Sequence, residues 1–262
     1  MPVQRDDRAT DPAFQNRYEK HAIEGTSCTP YDNFFIAQAM KHRMQAQVLP
    51  AVLAATGSWT NVQIWDTYLD GGGRMSFSDT DNPGDPLVRS VHNDENQVNR
   101  AVEAIATHIE GRLEALANEH LRDRDSIDIP VADLVPPELL RPRLEWVTVA
   151  SPAANVIGEI GASDVYGRDD RRITGTITLV KQRRRGDRLT VDVRASCDLT
   201  ITVNDSCDFC PGNIGPVWEQ NFTIPLSRLE ATGIAGDVKL TVTVHERRST
   251  GLVNVRDPAV EG

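Results

Sequence analysis

The chain has 262 residues, 39% of them hydrophobic, and 28 lysines and arginines against 38 acids give it a net charge of −10. That length suits one large domain or two ordinary ones, and the charge opposes general attraction to nucleic acid or anionic membranes. Four cysteines are too few for a disulfide scaffold, and no stretch reaches the roughly eighteen apolar residues that span a bilayer.

Residues 1–30 are polar and mixed in charge, which predicts a loose N-terminal arm with one helical turn around Phe14 to Ala22. The opening Met1-Pro2-Val3-Gln4-Arg5-Asp6-Asp7 holds no apolar core of a secretory signal. The expectation is a protein made in the cytoplasm without a cleavable signal peptide, and exported, if at all, by another machine. From Tyr31 onward Phe34, Phe35, Ala37, Ala39, Met40, Met44, Val48 and Leu49 recur at helical spacing. Thr29 or Asp32 is the expected cap, and Pro50 the expected stop or kink. Ala51 to Ala55 reads as a second apolar piece ended by Gly57. Trp59 to Leu69 predicts a helix with Val62, Trp65 and Leu69 on one face, after which Gly71-Gly72-Gly73 lets two helices turn. Asp79 to Asp85 is a loop. Asp94 to Arg122 predicts the longest helix, with Val98, Val102, Ile105, Ile109, Leu113 and Leu116 as its stripe. Residues 31–122 therefore read as a small helical bundle.

Residues 123–145 hold Pro130, Pro136, Pro137 and Pro142, which predicts a connector. Beyond it the period switches to two. Arg172 to Val180, Arg188 to Arg194, Asp198 to Val203 and Val238 to Val244 alternate as half-buried strands do. Gly186-Asp187 reads as a hairpin turn, and Trp218 to Ile224 as a further strand. With Glu145 to Val149 or Asn155 to Ile160, the count is five to seven antiparallel strands. The expected fold class is α+β: an N-terminal helical bundle, then an antiparallel β-sandwich or barrel over residues 146–250, with a tail at 251–262.

Chemistry-bearing patterns are sparse. Cys207 and Cys210 fit a metal knuckle, with Cys197 ten residues upstream and His245 as a fourth ligand for a structural zinc. The competing readings are a disulfide and, first of all, a Pro-Gly turn whose thiols pack as small hydrophobes. Asp79-Thr-Asp81-Asn-Pro83-Gly84-Asp85 starts like a calcium loop. Pro83 stands where a ligand oxygen is needed and Ser90 where a glutamate is needed, so it reads as an acidic turn. His245 lacks a second histidine in HExxH spacing. GxSxG, P-loop and dinucleotide-binding fingerprints are absent.

Residues 168–188 carry eight basic side chains against three acidic ones, a local +5 that leaves the rest of the chain at −15. Arg183, Arg184 and Arg185 are its densest part and the candidate binding residues. Tyr166 is the only aromatic nearby, which disfavours nucleic acid. The alternative is a charged edge strand and hairpin tip that resist aggregation.

Cys210-Pro-Gly-Asn-Ile-Gly215, Trp218-Glu-Gln220, Thr223-Ile-Pro225, Ser227-Arg228 and Glu230 to Val238 together carry a resemblance. This stretch resembles the C-terminal segment of bacterial, mostly actinobacterial, proteins with a metallopeptidase-like domain that are associated with extracellular contractile injection systems or polymorphic toxins. The peptidase motif is missing here, so no catalytic residue carries over. The resemblance implies a setting: an adaptor, cargo or effector piece of such a system.

The expected function is therefore a non-enzymatic binding, adaptor or cargo protein with a protein partner. The alternative is a hydrolytic toxin or effector working between the helical and β parts, with His92, Asp94 and Glu95 as candidate groups. A purely structural subunit is the third reading.

Overall fold

Ala37, Met44, Val48 and Val52 are buried at intervals of seven, four and four residues. They form the inner stripe of one helix, α1 (Phe34–Thr56). The structure is a computed structural model that describes residues 29–90, 98–140, 171–183, 189–207 and 220–260. Asn33, not Thr29 or Asp32, caps α1, its Oδ1 accepting from the Phe35 amide at 2.8 Å. Pro50 does not end the helix. It sits on the exposed face, and so does Ala46, whose carbonyl loses its helical donor there on the solvent side. The Ala51 to Ala55 piece is thus the last part of α1. Gly57, in the left-handed conformation at φ 61°, closes it. Ser58 then caps α2 (Trp59–Leu69), which buries Ile64, Trp65, Tyr68 and Leu69.

The three glycines that follow do not join two helices. They lead into a strand, β1 (Gly73–Ser78). Gly72 stands at φ 84°, and a Cβ on it would run into the Asp237 carbonyl. The Gly73 amide donates to that carbonyl at 2.8 Å, and the Gly236 amide donates to Tyr68 O at 3.0 Å. Two backbones pass in direct contact here, and only glycine leaves the room. A short helix, α3 (Pro86–Ser90), follows the 79–85 loop.

The expected long helix is two, α4 (Val98–Glu110) and α5 (Leu113–His120), parted at Gly111-Arg112. Its apolar stripe holds across the break: Val98, Val102, Ile105, Ile109, Leu113 and Leu116 are all buried. Residues 123–140 are more than a connector. They form β2 (Ser126–Pro130), α6 (Val131–Leu134) and α7 (Pro137–Leu140). Pro130 ends the strand and Pro137 starts a helix, the two places where a missing amide does least harm.

The strong alternating runs are strands as expected: β3 (Arg171–Arg183), β4 (Thr190–Cys207) and β5 (Val238–Ser249). Two of the runs merge, because 188–194 and 198–203 both belong to β4. The expected strand at 218–224 is helical over its described residues. From Gln220 it belongs to α8 (Gln220–Thr232), which buries Leu226, Leu229 and Glu230 at helical spacing. The tail adds β6 (Val253–Arg256).

The described strands make one six-stranded sheet in the order β1-β5-β4-β3-β2, with β6 also on β4. It is open, so the barrel does not form, while the α+β class holds. The pairs β2–β3, β3–β4 and β4–β6 are antiparallel, with Ile129 opposite Ile177, Ile177 opposite Cys197, and Val191 opposite Val255. Along β4 every second residue from Val191 to Val203 is buried. With β2 on one side and β4 on the other, β3 is not the edge strand that its charges suggested.

Two compact units share the chain. Met1–Ser90, Glu145–Gly167 and Asn204–Val242 make the first; Val91–Leu144, Arg168–Val203 and Thr243–Gly262 make the second. In the first, α8 and α2 both pack on α1. The Tyr68 hydroxyl lies 2.8 Å from Glu230 Oε2 and 3.1 Å from Leu226 O, buried with both. Arg228 clasps the segment before α1: it donates to Thr29 O and Pro30 O and sits 4.2 Å over the Tyr31 ring.

Candidate functional site

In the second unit the buried stripe of α4 dictates what its other side presents. With Val98, Val102, Ile105 and Ile109 inward, Arg100, Glu103 and Thr107 are exposed. These three, with Asn99, Ala104 and the half-buried His108, form one wall of an open groove of about 760 Å³. Leu139 of α7 and Arg248, near the end of β5, complete it. The inward alternation of β5 stops after Val244, which leaves Arg247 and Arg248 exposed.

The two neighbouring arginines then part ways. Arg247 donates to Asp198 Oδ2 at 2.9 Å. Among the described residues Arg248 has no hydrogen bond or ion pair, and neither has Arg100. His108 Nε2 is sealed from solvent without a hydrogen-bond partner. An unmet buried polar atom of this kind costs about 1–3 kcal/mol. The groove thus gathers two uncommitted guanidinium groups and apolar surface from Leu139 and Ala104, while His108 Nε2 stays sealed beneath it. Glu103 and His108 are five residues apart on α4 and so about 140° apart around it. They do not form an acid–base pair.

The sequence-derived candidates are placed differently. Lys181, counted in the basic stretch, points inward with 2% side-chain exposure. Its Nζ donates to Leu121 O at 2.7 Å and lies 3.6 Å from the buried Asp257 carboxylate. Leu121 is the C-cap of α5, so the ammonium also meets the negative end of a helix. This cation holds structure together. Arg183 closes β3, while Arg184 and Arg185 lie outside the described residues.

Cys197 is a free, fully buried thiol on the inward pleat of β4. Burial pushes its pKa up to about 11. Cys207 ends the same strand ten residues on. Cys197 itself packs in the core. Cys210 lies outside the described residues, and His245 is exposed on β5. Among the described residues no group of three or more His, Cys, Asp and Glu is placed to hold a metal.

The 79–85 loop spends its oxygens on itself. Ser78 Oγ accepts from the Asp81 amide at 3.0 Å and donates to its carboxylate at 2.8 Å. Asp85 takes the Thr60 hydroxyl and the Leu87 amide. His92, Asp94 and Glu95 lie outside the described residues. Sequence reading missed Arg100 and Arg248 because they lie far apart in the chain until the fold brings them to one groove.

No family model, curated protein or solved structure matches the chain. No described helix is long and apolar enough to cross a membrane.

Proposed function

We propose that this chain is a binding protein rather than a catalyst, an adaptor or cargo of a bacterial contractile injection or toxin system that engages a protein partner. The observation that carries the binding reading is the pair of uncommitted arginines in the groove, in a chain whose acids outnumber its bases by ten. Two exposed arginines lining one groove suit an external anion. A second support lies in the first unit. Phe34, Phe35 and Ile36 are 61%, 81% and 55% exposed at the start of α1, an apolar cluster of the kind partners cover.

The setting rests on the resemblance of Cys210 to Val238. The described part of that stretch, α8 and the approach to β5, does architectural work: Leu226 and Leu229 are buried, and Arg228 clasps Thr29 and Pro30. A structural segment that resembles one in injection-system proteins fits an adaptor or cargo better than an enzyme.

The test is crosslinking of the tagged full-length chain in its native bacterium, followed by mass spectrometry. The expected partner is a carrier or structural component of an injection or toxin apparatus. R183A/R184A/R185A serves as the comparison for the basic stretch chosen from sequence. Recovery of no partner, or turnover of a substrate by the purified chain, would defeat this reading.

A further inference from the structure

We infer that the open edge of β1 pairs with the β1 of a second copy of this chain, antiparallel and centred on Ser76, so that two sheets join edge to edge in a two-fold dimer. This goes beyond the binding reading above and does not depend on it.

β1 stands at one end of the strand order, with β5 on one side and, among the described residues, no strand on the other. The Gly73 amide donates to Asp237 O, just ahead of β5. Backbone groups alternate in direction along a strand. Those of Met75 and Phe77 therefore also turn toward β5, and those of Arg74, Ser76 and Ser78 turn to the open edge. Arg74 and Ser76 are exposed there. A free row of this kind is a template for another strand.

The register singles out a second copy as that strand. With the two-fold axis at Ser76, each Ser76 offers its amide and carbonyl to the other, and the Ser78 amide meets the Arg74 carbonyl at both ends. The Ser78 carbonyl accepts the Asn82 amide at 2.7 Å and keeps a lone pair for the Arg74 amide of the second copy. The same register matches the side chains. On the inner face the half-buried Met75 falls opposite the buried Phe77, thioether against ring. On the outer face Arg74 falls opposite Ser78. Ser78 Oγ holds the exposed Asp81 carboxylate at 2.8 Å, so the cation at the start of one β1 meets the anion at the end of the other, and the two-fold axis repeats the pair. Between them Ser76 faces Ser76 without charge.

The opposite end of the sheet lacks this match. The Lys181 amide donates to Asp125 O, so in β2 the backbone groups of Ser126, Asp128 and Pro130 face outward. Self-pairing centred on β2 sets Asp128 against Asp128, and Pro130 has no amide to give.

The experiment is sedimentation equilibrium of the full-length protein over a concentration series, with amide hydrogen exchange at the lowest and highest loading. A concentration-dependent dimer is expected, with slower exchange at Arg74 and Ser76 in the dimer. S76P removes the central amide of each copy. Its ring sits at the open edge, where a monomer tolerates proline, so S76P is expected to be a monomer with an unchanged melting temperature. R74E sets a glutamate beside Asp81 of the second copy. It is expected to raise the dissociation constant about tenfold, and R74E/D81K to bring it back. A monomer at every concentration overturns the inference. So does a dimer that survives S76P, or one whose exchange protection lies away from residues 73–78. If S76P melts early, the decision passes to R74E: an unmoved dissociation constant overturns the pairing, and a weakening rescued by D81K supports it.

Discussion

Within the second unit, the interior around Lys181 and the groove beside α4 use positive charge in opposite ways. Lys181 is buried, bonded to Leu121 O and set beside Asp257, so its charge is spent inside the fold. Arg100 and Arg248 are exposed and, among the described residues, spent on nothing. A buried ammonium must be paired, because desolvation otherwise exceeds what the site returns. An exposed guanidinium has no such need and stays available to an external anion. Burial, rather than local density of basic residues, separates the structural cation from the solvent-facing ones.

The largest effect falls on the buried side of that comparison. K181M leaves Asp257 buried without its cation and should lower stability by about 3–5 kcal/mol, seen as an early thermal or urea transition. A loss under about 1 kcal/mol would mean that the pair is not sequestered.

Next comes the other sequestered group of this unit, Cys197. Its folded pKa of about 11 lies above the ordinary 9.0. A raised pKa keeps stability intact below the ordinary value and erodes it as pH climbs through the folded one. Between pH 9 and pH 11 the protein should lose about 2 kcal/mol through this thiol, and C197A should flatten that part of the profile. A profile unchanged in C197A would place the thiol in contact with water.

In the first unit Y68F removes a buried hydroxyl shared by Glu230 and Leu226 O, and urea titration should register a loss of about 1–2 kcal/mol. R228A is smaller, below about 1 kcal/mol, because the clasp on Thr29 to Tyr31 lies at the surface. Its readout is limited proteolysis, with faster cleavage ahead of Phe34. R100E/R248E closes the series, within about 0.5 kcal/mol of the parent stability.

Elements were legible where the pattern was long. The helical spacing from Phe34 to Leu49 announced α1, although Pro50 was read as its end, and the alternations of β3, β4 and β5 were read as strands, although the two runs of β4 were read apart. Short strands were not legible: β1, β2 and β6 have six, five and four residues, too few for a period of two to stand out. The 218–224 run misled for the same reason, since Phe222 to Ile224 alternates over only three positions. Pro225 also argued against a helix that the packing of Leu226 and Leu229 enforces. The basic stretch misled because composition cannot show that Lys181 points inward. The groove was invisible because Arg100 and Arg248 are distant in sequence, and only the fold joins them.

The measurement that bears most directly on the open cations is partner capture by R100E/R248E, made beside its thermal unfolding. Capture lost at an unchanged melting temperature is the expected result. Capture retained at an unchanged melting temperature would contradict it and remove the groove from the binding surface.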